Sequence, residues 1–241
     1  MSDHAVLVKI CGVRTLEAAQ AAVDTGADLL GFICYPPARR YVSPAQITAI
    51  LAGLRGRSAV RAVGVFVNQA VEEMNAVASA CGLDLIQLSG DEPMEVIKAL
   101  NRPAIKAYRP EAMQHADPGR GRPPCLPFRI PAQRSQMEYG GGQARGPAPT
   151  SRLHAVLLEP SSAGWGGGGT LLDWRIARAV TDLPVRPPVF LAGGLTPENV
   201  GGAIAAVRPD GVDVSSGVEK NGAQDSARIA AFVAAAKGAT A

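Results

Sequence analysis

The stretch Val189-Phe190-Leu191-Ala192-Gly193-Gly194-Leu195-Thr196-Pro197-Glu198-Asn199-Val200 joins a short apolar run to a glycine turn and then to a hydroxyl-proline pair. The run 189–192 reads as a buried strand. Thr196-Pro197 reads as a helix start, because a hydroxyl at the N-cap bonds an orphan N–H and proline gives up one the first turn does not use. The same unit recurs along the chain. Apolar, β-branched runs at 6–11, 27–33, 61–66, 83–88, 104–108, 153–158, 189–192 and 211–215 predict eight strands. Ala-rich stretches of helical period at 16–25, 45–54, 71–81, 93–100, 172–181, 197–207 and 226–237 predict the helices between them, with Ser43-Pro44 repeating the cap. Only the slot after the fifth strand has none. Eight strands alternating with helices in a single domain of 241 residues is the size and rhythm of a (β/α)8 barrel. A doubly wound open sheet shares the rhythm, because periodicity does not reveal whether strand eight closes on strand one.

The slot after strand five holds residues 109–152, an irregular insertion rich in Pro, Gly and Arg. Its seven Arg against three acids give a local balance of +4, so the rest of the chain is near neutral and does not call for nucleic acid. Only two aromatic residues, Phe128 and Tyr139, stand among the arginines for stacking on bases, which favours a solvated insertion. The four cysteines (11, 34, 81, 125) show no CxxC and no His partner, and His4, His115 and His154 form no ligand pair. We read the histidines as surface or loop residues, expect neither metal nor cofactor, and take Cys34, Cys81 and Cys125 as inert. The start lacks a basic segment followed by an apolar core, and no run approaches a membrane span. A cytoplasmic chain with free thiols is expected, either monomer or homodimer, acting on a small molecule without nucleic acid or membrane.

In a barrel the C-terminal ends of the strands converge on one mouth. Those ends read Lys9-Ile10-Cys11-Gly12, then Gly31 to Pro36 with Arg39-Arg40-Tyr41-Val42, Val65-Phe66-Val67-Asn68, Gln87-Leu88-Ser89-Gly90-Asp91-Glu92, Leu157-Leu158-Glu159, Ala192-Gly193-Gly194, and Asp213-Val214-Ser215-Ser216-Gly217-Val218-Glu219. Gly193, Gly194 and Gly217 allow the backbone to approach a ligand, and Ser215-Ser216-Gly217 can open a helical turn with outward N–H groups. Loops after strands seven and eight of this kind form the recurring phosphate site of barrels. Cys11 alone reads as a small buried hydrophobe or, at the rim, as a thiol facing substrate. Lys9 shares its strand face and would set positive charge beside it. Asp173 and Asp213 are further carboxylates within reach of the mouth.

In order, these segments resemble phosphoribosylanthranilate isomerase, the (β/α)8 enzyme family of tryptophan biosynthesis. The resemblance covers nearly everything outside 109–152 and rests on Lys-Ile-Cys-Gly, Ala-Gly-Gly-Leu-Thr-Pro-Glu-Asn and Asp-Val-Ser-Ser-Gly-Val-Glu together. It implies an Amadori rearrangement of N-(5-phosphoribosyl)anthranilate, a phosphosugar, with Cys11 as general base and Glu159 as general acid. It also implies that Arg40 binds the anthranilate carboxylate, with Arg39 a close competitor, and that Asp213 lines the ribose side. The chain departs from the family pattern at Glu159, where the family has Asp, at Ser89, where it has His, and in the all-glycine run 166–169. Two other classes stay open at this level. One is a drifted, non-catalytic phosphosugar-binding barrel. The other is a histidine-pathway-type aminoaldose isomerase, against which stand Cys11 and the lack of a second phosphate loop after strands three and four.

Overall fold

The computed structural model describes residues 5–110, 152–160 and 172–239. Eight strands, β1 (Leu7–Cys11), β2 (Leu29–Ile33), β3 (Arg61–Phe66), β4 (Leu85–Leu88), β5 (Ala104–Tyr108), β6 (Leu153–Leu158), β7 (Val189–Leu191) and β8 (Gly211–Val214), pair in parallel in sequence order. The barrel closes where β8 meets β1, in a register running from Leu7 opposite Gly211 to Ile10 opposite Val214. That closure excludes the open sheet. Around it lie α1 (Leu16–Asp24), α2 (Pro44–Gly53), α3 (Val71–Cys81), α4 (Trp174–Thr181), α5 (Val200–Val207) and α6 (Ser226–Lys237). A two-stranded antiparallel hairpin, β9 (Glu219–Lys220) with β10 (Ala223–Gln224), follows a 3-10 turn at Ser216–Val218. Among the described residues, no helix is long and apolar enough to cross a membrane.

The strand period of two sorts side chains into two cores. Leu29, Val63, Leu85, Ile105, Ala107, Ala155, Leu157 and Phe190 fill the barrel interior. Leu30, Phe32, Ala62, Ile86, Val156 and Val212 point outward to meet Ala19, Ile47, Met74, Val180, Ile204 and Phe232 of the helices. Each large side chain sealed in this outer layer contributes about 2 kcal/mol. Ser43 caps α2 as expected, in a reciprocal box with Gln46. Two expectations fail. The helix expected over 93–100 is a 3-10 turn, Met94–Ala99. The helix expected from Pro197 begins at Val200, because the Asn199 side chain accepts from Thr196 N (2.8 Å) and donates to the Gly194 carbonyl (3.0 Å), keeping 194–199 as a loop.

At the N-terminal end of the barrel one device is used three times. Asp28, Asp84 and Asp210 stand just before β2, β4 and β8, and each donates its N–H to the strand before and accepts that strand's N–H on its carboxylate. The partners are Val8 (2.7 Å to the carboxylate), Ala62 (2.7 Å) and Val189 (2.8 Å). Each carboxylate also pairs with a cation, Lys237, Arg57 and Arg186 respectively. Strand-end amides that the ladder leaves over are thus satisfied, as buried amides must be. In barrels this end carries stability rather than chemistry.

His154 contradicts its reading as a surface residue. Ala104 faces Leu153 but Ile105 faces Ala155, so β6 carries His154 as an extra residue in a bulge. Its ring is 7% exposed, with Nε2 3.1 Å from Arg61 Nη1 of β3. Burial, and secondarily the Arg61 charge, lowers its pKa to about 4 from 6.5. The unfolded chain therefore takes up a proton that the folded chain refuses. Stability from this site is present above 6.5 and lost as pH falls toward 4. We expect urea unfolding to show about 2 kcal/mol less stability at about pH 5 than at neutrality from this group, and His154→Gln to flatten that slope. An unchanged slope in His154→Gln contradicts the assignment.

Candidate active site

The mouth is built on one buried ion pair. Lys9 Nζ lies 2.7 Å from Asp213 Oδ1, with the lysine fully buried. The two are register partners across the β1–β8 seam, so both side chains enter the barrel at the same height. Burial alone would pull the Lys9 pKa down, but the Asp213 carboxylate and the Cys11 sulfur outweigh it and hold the ammonium charged. Cys11 is two residues further along β1, on the same face. A Cβ placed on Gly31, its register partner on β2, would stand 2.9 Å from Cys11 Sγ and 3.1 Å from Lys9 Nζ. Thiol and ammonium therefore share one small space, which exists because residue 31 has no side chain. Burial pushes the Cys11 thiol up, while Lys9 and, more weakly, Arg40 pull it back.

Glu159 is the residue after β6, and its N–H donates to the Tyr108 carbonyl (3.0 Å), prolonging the strand pairing. Burial raises its pKa against the pull of Arg109, and Asp213 adds to the rise while Lys9 opposes it. The charges of Lys9 and Asp213 thus act on the ionisation of both Cys11 and Glu159. Arg109, at the end of β5, forms an ion pair with Glu159 and donates to the Ser89 carbonyl (3.0 Å). Ser89 Oγ in turn accepts from Gln87 Nε2 (3.0 Å).

Of the two arginines of the second loop, Arg40 is the buried one. Its side chain is 10% exposed against 54% for Arg39. Arg40 Nε donates to Glu219 Oε1 (2.5 Å) and Arg39 Nη2 to Glu219 Oε2 (2.7 Å). Burial would raise the Glu219 pKa, but these bonds hold it below its ordinary value. The terminal nitrogens of Arg40 have no hydrogen-bond acceptor among the described residues, which leaves the end of its fork for an anion. The β9–β10 hairpin roofs this corner, with Gln224 Nε2 donating to the Cys11 carbonyl (3.0 Å) and Arg14 and Arg39 both donating to the Gly222 carbonyl.

The loops after β7 and β8 touch. A Cβ on Gly217 would lie 1.8 Å from the Leu195 carbonyl oxygen, so only glycine permits the approach. Gly193 (φ 92°) and Gly194 (φ 62°) take left-handed conformations that turn their amides out of the strand direction. The N–H groups of Gly193, Gly194, Ser216 and Gly217 have no acceptor among the described residues, and Ser215 Oγ is buried without a partner among them. Converging free N–H groups of this kind make an anion cradle.

Every expected site residue is thus a described one, and all lie at the C-terminal ends of their strands. Asp173 is the exception among the carboxylates considered, since it caps α4 and pairs with Arg175. His4, His115, Cys125, the run 166–169 and residues 111–151 lie outside the described residues. The sequence reading missed Arg109, Gly31 and the hairpin. Asn221-Gly222 between short polar runs is a standard hairpin signal and could have revealed the last of these.

The chain matches known proteins over nearly its whole length. A family model described as N-(5'phosphoribosyl)anthranilate (PRA) isomerase matches residues 8–120 and 149–235. The chain is similar to the N-(5'-phosphoribosyl)anthranilate isomerases of Symbiobacterium thermophilum, at 42% identity covering 96% of this chain and 98% of that one, and of Geobacter metallireducens, at 39% covering 96% and 99%. Among solved structures it is similar to the phosphoribosyl anthranilate isomerase of Thermotoga maritima, with 35% identity, a TM-score of 0.72 and coverage of 97% and 99%. A further one, with a TM-score of 0.69 at 34% identity and the same coverage, is a phosphoribosyl anthranilate isomerase in complex with reduced 1-(o-carboxyphenylamino)-1-deoxyribulose 5-phosphate. With a matching family model over most of its length and relatives near 40% identity across nearly all of it, the chain belongs to the phosphoribosylanthranilate isomerase family.

Proposed function

We propose that Cys11 and Glu159 are the base and acid with which this aldose-ketose isomerase converts N-(5'-phosphoribosyl)anthranilate to 1-(2-carboxyphenylamino)-1-deoxyribulose 5-phosphate in tryptophan biosynthesis. The observation that carries the assignment is the buried Lys9–Asp213 pair at the mouth, whose ammonium shares the space over Gly31 with Cys11 Sγ, with Glu159 held at the neighbouring end of β6 by Arg109. Glu159 gives its proton to the furanose ring oxygen as the C1–O bond breaks, and the nitrogen lone pair forms the C=N bond. The Cys11 thiolate takes the C2 proton, the C2–H electrons become the C1=C2 bond of an enolamine, and the nitrogen recovers its lone pair. Proton transfer from the C2 hydroxyl and to C1 completes the ketone. The substrate nitrogen is the electron sink.

Burial raises the thiol's pKa from 9.0 and the carboxyl's from 4.5, opposing the thiolate and favouring the neutral acid. The productive form is the thiolate with the neutral carboxyl. Lys9 favours it by stabilising the thiolate. The pair titrates together, the lower apparent pKa of kcat/KM reporting Glu159 and the upper Cys11. The anion cradle of Gly193, Gly194, Ser215, Ser216 and Gly217 receives the phosphate. Arg40 receives the anthranilate carboxylate with the fork end that Glu219 leaves over, and Asp213 faces the ribose from the rim of β8. The described cysteines, 11, 34 and 81, are free thiols, which suits a cytoplasmic enzyme.

Turnover of freshly generated phosphoribosylanthranilate, read as loss of anthranilate-type fluorescence, tests the assignment. Cys11→Ala and Glu159→Gln are expected to lose about 1,000-fold or more in kcat. Retained turnover in either removes that residue from its role, and a natural chain stabilised by phosphate without turnover marks a binding relative. Arg40→Ala is expected to raise KM about 10- to 100-fold with a smaller effect on kcat, from the loss of a charge-assisted pair. An equal effect of Arg39→Ala would assign the change to the Glu219 hairpin instead. Gly31→Ala is expected to cost about 100-fold in kcat while phosphate still raises the melting temperature, since the new methyl displaces the thiol rather than the cradle. Unimpaired turnover in Gly31→Ala contradicts the packing described.

A further inference from the structure

We propose that Arg109 is a positioning residue for the acid, holding the Glu159 carboxyl and receiving the negative charge that forms on it when its proton leaves. The inference rests on the assignment of Glu159 above. Three observations carry it. First, Arg109 continues the inward parity of β5, two residues beyond Ala107 and four beyond Ile105, both of which line the barrel interior. Its guanidinium therefore enters the mouth. Second, it bridges two strand ends, pairing with the Glu159 carboxylate after β6 and donating to the Ser89 carbonyl after β4 (3.0 Å). A cation fixed at a second point constrains its partner better than one on a free arm. Third, residue 159 is a glutamate, whose arm is one methylene longer than an aspartate's. The extra methylene gives the carboxyl one more rotatable bond, and the arginine removes the freedom that bond adds.

The charge accounting favours the same role. Glu159 starts each turnover neutral and ends the ring-opening step as a carboxylate. A neighbouring guanidinium interacts more strongly with the second state than with the first, so it lowers the barrier to proton donation. Facing Glu159 besides Arg109 of the β5 end are Asp213 of β8, which disfavours the carboxylate, and Lys9 of β1, which favours it. Lys9 is itself engaged by Asp213 at 2.7 Å, which leaves Arg109 as the cation paired directly with Glu159.

The test is the pH profile of kcat/KM, with kcat and KM at the optimum, for Arg109→Ala, Arg109→Gln and Arg109→Lys. Without the charge, the lower limb is expected to move to higher pH by about one unit, because Glu159 loses the partner that stabilises its ionised form. Near the optimum kcat is expected to fall about 10- to 100-fold with KM changed less than about threefold. Arg109→Lys is expected to restore the limb and much of kcat. Arg109→Gln, which keeps a donor for the Ser89 carbonyl without charge, gives the same reading should the alanine variant fold poorly. In a Glu159→Asp background the loss from Arg109→Ala is expected to shrink, since the shorter arm no longer needs the clamp. A lower limb that stays in place in both Arg109→Ala and Arg109→Gln overturns the proposal, whatever happens to kcat. Glu159→Gln separates the two claims: if it keeps full turnover the acid assignment fails, whereas if it is inactive and the Arg109 variants leave the limb unmoved, only this inference fails.

Discussion

The ion pair between Lys9 and Asp213 spans the seam at which β8 closes on β1, and the active-site end of the barrel is arranged around it. Taking two charges out of water costs several kcal/mol per ion, so a buried pair contributes little net stability and is held by the fold rather than holding it. Its consequence is electrostatic. A fully buried ammonium is placed beside Cys11 Sγ in a space kept open by Gly31, and the carboxylate that neutralises it also raises the affinity of Glu159 for its proton. One pair thus acts in opposite senses on Cys11 and Glu159, favouring charge on sulfur and neutrality on the carboxyl. That is the proton distribution which the proposed roles of Cys11 as base and Glu159 as acid require.

The rest of the mouth supplies what the pair cannot. Glu219 engages Nε of Arg40 and Nη2 of Arg39, which turns the buried arginine's fork toward an anion and leaves the exposed one at the rim. Next to this fork, since a Cβ on Gly12 would touch both Arg40 Cδ (2.7 Å) and Ser215 Oγ (3.1 Å), the approach of Gly217 to the Leu195 carbonyl brings the last two loops together around four amides without an acceptor among the described residues. The three Asp clamps at the N-terminal end fix strand starts without entering the mouth, so stability and chemistry are separated along the barrel axis.

Most of this was legible in the sequence where the strand period of two governs. The bounds of β3, β5 and β6 coincide with the apolar runs, and the faces of Lys9 and Cys11 follow from their spacing. The failures have local physical causes. His154 is turned inward by a bulge, an extra residue that leaves no mark in an otherwise regular run. Thr196-Pro197 has the chemistry of a helix start, yet the Asn199 side chain satisfies the same backbone groups in a loop and delays α5. Arg109 was hidden by composition, because it begins a Pro- and Arg-rich tract, although parity from Ile105 and Ala107 places it inside the barrel. The hairpin after β8 was missed because its strands are two residues each, too short for any periodic signal.

The central claim is that the buried Lys9 charge sets the ionisation of Cys11. The pH dependence of Cys11 alkylation by iodoacetamide, read by mass spectrometry of the Cys11 peptide, measures this directly in the natural chain, in Lys9→Met and in Lys9→Met/Asp213→Asn. The midpoint should move to higher pH in Lys9→Met, where the Asp213 carboxylate remains unopposed. It should lie between the other two in the double variant, which buries neither charge. The same midpoint in all three folded proteins would contradict the account.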